Sequence, residues 1–259
     1  MSEQKLFGLI GYPLTHSFSK KYFSEKFASE GIPDCSYELF PLEDISEIRK
    51  LLKTRNLVGL NVTIPYKVGV IPYIDELDDT TSARIGAVNT IRIYPDGSTK
   101  GFNTDYYGFK SSLEEWIDHR GDSSRELKAL VLGSGGASKA VMTALEDIGT
   151  PFKVVSRQVS DETLSYGDLN EEILNDYRLI INTTPLGMSP HVDSAPEIPY
   201  ELIGPGHYLY DLVYNPAETL FLRNGSQRGA ATLNGLKMLY LQAEKSWSIW
   251  NDEDEMQDK

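Results

Sequence analysis

The stretch Lys128-Ala-Leu-Val-Leu-Gly-Ser-Gly-Gly-Ala-Ser-Lys-Ala-Val-Met-Thr-Ala-Leu-Glu146 decides the fold of this chain. Residues 128–132 have the apolar pattern of a short buried strand, a glycine-rich turn follows, and residues 139–146 have a helical pattern. Glycines let a backbone turn tightly and approach a ligand closely, and the first amides of the helix point at a pyrophosphate. This order predicts a dinucleotide-binding unit with contacts from Gly133, Ser134, Gly135, Gly136, Ala137 and Ser138.

The next predicted strand, residues 152–155, ends at Ser156 and Arg157. An NAD site normally has an acidic residue here for the ribose hydroxyls, whereas an NADP site has small polar and arginine groups for the 2′-phosphate. Serine followed by arginine therefore favours NADP, with a solvated loop arginine as the alternative. Further strands are predicted at 179–182 and 208–212, and ligand clefts lie at the carboxyl ends of such strands.

A lysine follows another predicted strand, in the segment Asn61-Val-Thr-Ile-Pro-Tyr-Lys67. Apolar side chains alternate up to residue 64 and Pro65 stops the strand, which places Lys67 on the first turn after a rigid strand end. Catalytic groups are commonly placed on such loops. A lysine exposed to solvent is the common alternative, because lysine is almost never buried unpaired.

Polar side chains interrupt the apolar strands of the same region. Asn61 and Thr63 lie on one strand and Asn89 on a second, predicted over residues 87–93. A buried, unpaired amide costs roughly 1–3 kcal/mol, so we expect these groups to have partners, such as a polar ligand. After this second strand the chain returns to the same end of the sheet through Asp105, before a helix predicted near Tyr107. We expect one end of the sheet to gather Asn61, Thr63, Lys67, Asn89 and Asp105.

Composition bounds the class of protein. The chain has 259 residues, 40% of them hydrophobic, with a net charge of −13, which argues against nucleic acid or an anionic membrane as a partner. The single cysteine, Cys35, excludes an intrachain disulfide, and no apolar start or membrane span is apparent, so we expect a cytoplasmic protein. The four histidines lack metal-ligand spacing, so no metal site is expected; only His16 is near a candidate site.

Strands and helices alternate from the start of the chain. Strands are predicted at 6–10, 36–40 and 57–64, and helices near 20–29 and 42–53, which is the pattern of an α/β fold. A charged, turn-rich stretch at 118–125 precedes the glycine-rich unit, and an amphipathic helix is predicted over Leu236–Trp250. We predict two domains, one of residues 1–106 plus 235–259, to which the last helix returns, and one of residues 107–234.

Eight motifs in order make the chain resemble the shikimate dehydrogenase family. They are Gly11-Tyr-Pro-Leu-Thr-His-Ser-Phe-Ser19, Asn61-Val-Thr-Ile-Pro-Tyr-Lys67, Gly86-Ala-Val-Asn-Thr90, Asn103-Thr-Asp105, Gly133-Ser-Gly-Gly-Ala-Ser138, Asn182-Thr-Thr-Pro-Leu-Gly187, Tyr210-Asp-Leu-Val-Tyr-Asn-Pro216 and Asn234-Gly-Leu-Lys-Met-Leu239. The resemblance covers nearly the whole chain. It implies an α/β substrate-binding domain and a Rossmann-like NAD(P)-binding domain with a cleft between them.

The resemblance also implies an activity, the reversible reduction of 3-dehydroshikimate to shikimate with NADPH. Lys67 resembles the group that donates a proton or a charged hydrogen bond to the ketone oxygen, and Asp105 the residue that orients it and binds a ring hydroxyl. Ser17 and Ser19 resemble the pair that holds the carboxylate, although taken alone they are also typical helix caps. The remaining implied substrate contacts are Asn61, Thr63, Asn89, Tyr214 and Gln242, and the implied cofactor contacts beyond the turn are Ser156, Arg157, Thr183, Leu212 and Gly235.

Some residues depart from the family pattern and leave alternatives open. Ser160-Asp161 stands where many NADP-using members have a second arginine, and Ser134 replaces a common alanine. A quinate/shikimate dehydrogenase that prefers NAD is the nearest alternative, although Ser19 in place of threonine favours shikimate. A methylenetetrahydrofolate dehydrogenase is more remote, because the Ser17 and Ser19 pair and Asp105 argue against it. A non-catalytic dinucleotide sensor is also more remote, because it would have no need for Lys67 with Asp105. A monomer or a homodimer is expected.

Overall fold

The computed structural model describes residues 4–14, 17–158, 160 and 163–251. The chain divides into two compact units, the first made of residues 1–104 and 243–259 and the second of residues 105–242. The predicted boundary before residue 107 is close to the structural division after residue 104. The predicted boundary before residue 235 lies earlier in the chain than the structural division before residue 243. The extent of the functional domains stays a prediction.

The first unit is built on a mixed sheet of six strands in the order β2-β1-β3-β5-β6-β4. Its strands are β1 (Lys5–Gly11), β2 (Cys35–Pro41), β3 (Leu57–Val62), β4 (Glu76–Leu77), β5 (Thr90–Ile93) and β6 (Thr99–Phe102). The strands β1, β2 and β3 are parallel, whereas β5 runs antiparallel to both β3 and β6. The helices are α1 (Phe18–Ser29), α2 (Ile48–Leu51), α3 (Tyr66–Gly69) and α4 (Ser82–Ile85).

An aromatic cluster closes one face of this sheet. Phe7 of β1 packs against Phe27 of α1 and against Trp250, with ring centroids 6.1 and 5.0 Å apart respectively. The Trp250 indole N–H also donates to the carbonyl oxygen of Ile91 at 3.0 Å. A Cβ on Gly59 would collide with the indole ring, so only glycine lets the ring lie on β3. These contacts hold Trp250 in the first unit.

Three elements differ from the prediction. The helix predicted at 42–53 is shorter, because Asp44 caps a 3₁₀ turn (Ile45–Glu47) and α2 follows only over Ile48–Leu51. The strand predicted from residue 87 begins at Thr90. The helix predicted near Tyr107 begins at Thr104 as α5 (Thr104–Asp118), since the Asn89 side chain accepts from the Thr104 amide at 2.7 Å. Asp105 therefore lies in the first turn of a helix rather than in a loop.

The second unit is a doubly wound parallel sheet in the order β12-β11-β10-β7-β8-β9. The strands are β7 (Ala129–Leu132), β8 (Phe152–Val155), β9 (Thr163–Leu164), β10 (Leu179–Asn182), β11 (Tyr208–Asp211) and β12 (Ala231–Leu233). The helices after α5 are α6 (Gly136–Ile148), α7 (Glu171–Asp176), α8 (Leu220–Ser226) and α9 (Leu236–Trp250), of which α9 continues into the first unit.

The order of this sheet positions a ligand site. Counted along the chain, the strands follow the dinucleotide-binding arrangement 3-2-1-4-5-6, in which the order reverses between β7 and β10. All registered pairs are parallel, so the carboxyl ends of the strands share one edge. The predicted α/β fold with a Rossmann-like part is confirmed. In the described part of the chain, no helix has the length and apolar character needed to cross a membrane.

Candidate active site

Lys67 lies where the sequence predicts it, on the short helix α3 that follows β3. The backbone on both sides of it is fixed: Thr63 N donates to Ile10 O at 2.9 Å, and Val88 N donates to the carbonyl oxygen of Lys67 at 2.7 Å. The neighbouring Tyr66 hydroxyl donates to the carbonyl oxygen of Leu42 at 2.7 Å. These hydrogen bonds fix the backbone position of Lys67. Its side chain is partly exposed and reaches the surface of the unit.

The amide of Asn61 is held by several groups of the protein. Its Oδ1 accepts from the Tyr37 hydroxyl at 2.8 Å, and its Nδ2 donates to Ser246 Oγ at 3.0 Å. Thr90 Oγ1 and the Asn89 carbonyl oxygen lie 3.2 and 3.4 Å from the same nitrogen. Asn61 therefore has polar partners within the protein, and its contact with a substrate stays a prediction.

The side chain of Asn89 serves the start of helix α5. Its Oδ1 accepts from both the amide and the hydroxyl of Thr104, at 2.7 and 3.1 Å, which satisfies a helix N–H that no intrahelical carbonyl can reach. Asn89 is buried, with 4% of its surface exposed. For Asn89 too, the amide oxygen has partners within the protein, and a contact with a substrate stays a prediction.

Two residues of this polar group, Tyr37 and Ser246, were missed by the sequence analysis. Burial raises the pKa of Tyr37 well above its ordinary value, and the Ser19 side chain partly opposes that rise in pKa. The Tyr37 hydroxyl donates to Asn61 of β3. Ser246 lies four residues after Gln242 on α9, a spacing that puts both on one helix face and could have indicated it. No sequence signal distinguished Tyr37 from an ordinary buried tyrosine.

Ser17 caps helix α1. Its Oγ accepts from the Lys20 amide at 3.3 Å, as expected for a serine at the first turn of a helix. Accepting this bond uses a lone pair and leaves the hydroxyl proton for donation, so capping does not prevent Ser17 from binding a carboxylate. Ser19 lies in the first turn of the same helix, and its side chain lowers the pKa of Tyr37. His16, the histidine near this site, lies outside the described residues.

Asp105, Tyr214 and Gln242 belong to the second unit. Asp105 is 8% exposed and occupies the first turn of α5, where the positive end of the helix dipole stabilises a carboxylate. Tyr214 is exposed in the loop after β11. Gln242 lies on α9 beside α5, and a Cβ on Gly108 would lie 3.2 Å from its Cβ, so glycine allows these two helices to pack closely.

The glycine-rich turn after β7 has the geometry expected of a phosphate-binding loop. Gly133 has φ +106°, a conformation that favours glycine, and a Cβ there would lie 3.0 Å from Thr183 Oγ1. Helix α6 begins at Gly136, and no side chain caps it at Gly135. A Cβ on Gly135 or Gly136 would meet no atom within 4 Å. The protein's own packing does not require these two glycines, and they leave space above the helix amides for a pyrophosphate.

The end of β8 contacts this turn. Ser134 Oγ lies 3.2 Å from Ser156 Oγ, and Ser156 Oγ accepts from the Gln158 amide at 3.1 Å. Arg157 is exposed, and its charge acts on the phenol of Tyr166. The pKa of Tyr166 is nevertheless raised, because burial outweighs the arginine. Asp161, which the sequence sets against Arg157 in the choice of cofactor, lies outside the described residues.

Three further predicted cofactor residues lie at the same edge of the sheet. Thr183 Oγ1 donates to the carbonyl oxygen of Leu132 at 2.7 Å, which ties the end of β10 to the end of β7. A Cβ on Gly235 would collide with the carbonyl oxygen of Leu212, and Gly235 N donates to Val213 O at 3.2 Å. Gly235 is therefore required by the close approach of its backbone to the end of β11.

A buried carboxylate, Asp211, accepts hydrogen bonds from several groups at this edge of the sheet. Its oxygens accept from Asn182 Nδ2 and Val213 N, both at 3.0 Å, and from the Thr219 hydroxyl at 2.5 Å. Burial raises the pKa of Asp211 to about 6, although the three hydrogen bonds act in the opposite direction. Asp211 thereby connects the loops after β10 and β11 with the start of α8. The sequence placed it in a motif and gave it no role.

Among the described residues, no group of three or more histidine, cysteine, aspartate or glutamate side chains could hold a metal ion.

Comparison with known proteins places the chain in a family. Residues 9–91 match the model of the shikimate dehydrogenase substrate binding domain. A shikimate dehydrogenase (NADP(+)) of Methanococcus maripaludis is 38% identical over 265 residues, which cover 96% of this chain and 92% of that protein. The chain belongs to the shikimate dehydrogenase family. The resemblance inferred from the eight motifs is confirmed.

Solved structures of shikimate dehydrogenase relatives share the fold. The shikimate 5-dehydrogenase from Thermus thermophilus, in complex with NADP(H) and shikimate, is 30% identical with a TM-score of 0.81 and covers 95% of this chain and 93% of its own. A quinate dehydrogenase from Corynebacterium glutamicum in complex with NAD is 25% identical with a TM-score of 0.85 and covers 96% and 94%. The fold therefore occurs in relatives with either dinucleotide.

Proposed function

We propose that the chain is an NADP-dependent shikimate dehydrogenase, which catalyses the reversible reduction of 3-dehydroshikimate to shikimate on the route to chorismate and the aromatic amino acids. The observation that carries this proposal is the match over nearly its full length to a relative that bears this name. The residues of both units are suited to the reaction. Lys67 follows a strand end, and a glycine turn precedes an uncapped helix.

The second unit fits a dinucleotide. The turn residues 133–138 would hold the pyrophosphate through main-chain amides, because the space above Gly135 and Gly136 is open and α6 has no side-chain cap. Ser156 and Arg157 would contact the adenosine 2′-phosphate. When bound, NADPH supplies the hydride that reduces the ketone carbon. Thr183, Leu212 and Gly235, at the ends of neighbouring strands, are proposed as its remaining contacts.

Lys67 supplies the proton in this proposal. As the ketone is reduced, negative charge develops on its oxygen, and the Lys67 ammonium donates a proton to that oxygen. In the oxidation of shikimate the neutral amine takes the proton back from the hydroxyl. The fixed backbone of α3 keeps the lysine in place for this step. The family resemblance assigns Asp105 the orienting role and Tyr214 and Gln242 substrate contacts, and these three assignments stay proposals.

The substrate carboxylate is assigned to the start of α1. The Ser17 hydroxyl caps the helix through its oxygen and has its proton available for a carboxylate oxygen. Ser19, in the first turn of the helix, is the second proposed donor. Thr63, Asn61 and Asn89 complete the proposed substrate contacts, with the last two already held by hydrogen bonds within the unit.

One experiment separates this function from its nearest alternative. Oxidation of shikimate and of quinate, each with NADP and with NAD, is followed by the absorbance of the reduced nicotinamide. We expect shikimate with NADP to give the highest kcat/KM. A preference for quinate with NAD would instead match the Corynebacterium relative and the acidic residue at Asp161. Binding of a dinucleotide without turnover of either acid would indicate a sensor.

Two properties of the proposed enzyme stay predictions. We expect it to act in the cytoplasm, since its one cysteine cannot form an intrachain disulfide and a reductive biosynthetic step uses the cellular NADPH. We also expect a monomer or a homodimer, and sedimentation of the purified chain at two concentrations distinguishes them.

A further inference from the structure

A directed series of hydrogen bonds crosses the first unit. It runs from Tyr37 on β2 to Asn61 on β3, and from Asn61 to Ser246 on α9. The members come from three elements far apart in sequence. One of them, Asn61, is a proposed substrate contact, and the other two have no role in the reaction described above.

The surroundings of Asn61 fix which end of its amide is oxygen. The Asn89 carbonyl oxygen lies 3.4 Å from one end, and because a carbonyl oxygen can only accept, that end must be the NH₂ group. The other end faces the Tyr37 hydroxyl at 2.8 Å. The rotatable hydroxyls of Ser246 and Thr90 adapt to either assignment, so the carbonyl is the group that identifies the NH₂ end, while the shorter contacts with Tyr37 and Ser246 hold the amide.

This orientation limits what Asn61 can offer a ligand. The NH₂ group has two hydrogens, and three oxygen acceptors of the protein surround it, those of Asn89, Thr90 and Ser246. Oδ1 has two lone pairs. Among the described residues Tyr37 is the donor to Oδ1, and it occupies one lone pair. Toward a ligand, Asn61 can therefore accept a hydrogen bond but not donate one.

Tyr37 is a dependable donor in this arrangement. Its ring is 3% exposed and stacks on Phe23 with centroids 4.7 Å apart, so the hydroxyl is held in place. Burial raises the pKa of Tyr37 far beyond neutral pH, so the hydroxyl keeps its proton. The Tyr37 hydroxyl oxygen lies 2.8 Å from Asn61 Oδ1, and because an amide oxygen can only accept, the phenol proton points to Asn61.

We propose that Tyr37 is a positioning residue for substrate recognition: it presents the Asn61 amide oxygen to a ring hydroxyl of the substrate, while Ser246 holds the other end of the amide. The inference rests on the proposed function, in which the substrate is a polyhydroxylated ring acid. It predicts selectivity for a hydroxyl donor at that ring position. A carbonyl or carboxylate there would meet the lone pair of Asn61 and be rejected.

The test uses Tyr37→Phe, which keeps the stacked ring and removes the donor. Binding of shikimate is measured by calorimetry, together with binding of the two analogues that each lack one of the ring hydroxyls that are not oxidised. We expect the wild type to bind one analogue about tenfold more weakly than shikimate, as the loss of one hydrogen bond of about 1.4 kcal/mol implies. In Tyr37→Phe this ratio should fall to about twofold, with NADP affinity unchanged.

Two further variants make the result decisive. Tyr200→Phe removes a different partly buried hydroxyl, which donates to Pro196 O at 3.0 Å in the second unit, and should leave the ratio at its wild-type value. Ser246→Ala removes the shortest of the three contacts at the NH₂ end of the amide and should also lower the ratio, so it replaces Tyr37→Phe as the test if that variant does not fold. An unchanged ratio in folded Tyr37→Phe or Ser246→Ala, even with a lower melting temperature, would overturn the proposal. Failure of the wild type to oxidise shikimate would instead overturn the proposed function.

Discussion

Replacement of Asp211 by asparagine tests which interactions stabilise the second unit. The carboxylate is fully buried and accepts three hydrogen bonds, from Asn182, Val213 and Thr219. These bonds favour the charged form, whereas removal from water favours the neutral form. Burial prevails and raises the pKa of Asp211 from 3.8 to about 6. Asparagine has the same shape and no charge, so Asp211→Asn imitates the protonated side chain at every pH.

The size and sign of the effect follow from this change in pKa. A rise of about two units corresponds to about 3 kcal/mol in favour of the protonated folded state. Between the unfolded pKa of 3.8 and the folded pKa of about 6, the folded chain holds more protons than the unfolded chain, so its stability decreases as the pH rises through this window. From pH 5 to pH 7 the loss from Asp211 is about 1.3 kcal/mol.

Urea unfolding followed by circular dichroism measures this loss. At pH 5 and at pH 7 we compare the free energies of unfolding of the wild type and of Asp211→Asn, at equal urea dependence so that the values are comparable. From pH 5 to pH 7, the free energy of unfolding of Asp211→Asn should rise by about 1 kcal/mol relative to that of the wild type. Asp193→Asn, at an exposed position in the same unit, should show no such shift. The reasoning would be refuted if the free energy of unfolding of the variant, relative to that of the wild type, were equal at both pH values or fell at pH 7. The hydrogen bonds would then offset or outweigh the effect of burial on the pKa of Asp211.

Three further substitutions test the proposed site. Lys67→Ala should lower kcat on the order of 10²-fold with a smaller effect on KM for shikimate, since the lysine acts on charge that develops in the transition state, and near-normal turnover would exclude it from the mechanism. Ser17→Ala should raise KM for shikimate and lower the free energy of unfolding by about 1 kcal/mol through loss of the α1 cap. Loss of stability alone would leave Ser17 as a cap. Arg157→Ala should weaken NADPH by about 1.5–3 kcal/mol and leave NADH almost unchanged in fluorescence titrations. Equal losses for both dinucleotides would remove Arg157 from the recognition of the 2′-phosphate.

The sequence was most informative where local patterns determine structure. The strand, glycine turn and helix around Gly133 were predicted because each has a strong periodicity or a backbone requirement, and the position of Lys67 followed from Pro65 at the end of a strand. The start of α5 could not be predicted, since it depends on Asn89, which is distant in sequence and caps Thr104. The same holds for Tyr37, whose hydrogen bond to Asn61 exists only in the folded chain.

The edge of the second sheet separates two kinds of recognition. After β7, main-chain amides face the open space above the turn, and such groups bind any pyrophosphate alike. After β8, we propose that side chains such as Arg157 distinguish one dinucleotide from another. On that proposal, substitution of a few residues beyond Val155 can redirect a descendant enzyme from the biosynthetic NADP pool to the catabolic NAD pool. The proposed proton donor Lys67 on α3 and the hydrogen bonds around Asn61 would stay unaltered in that evolutionary change.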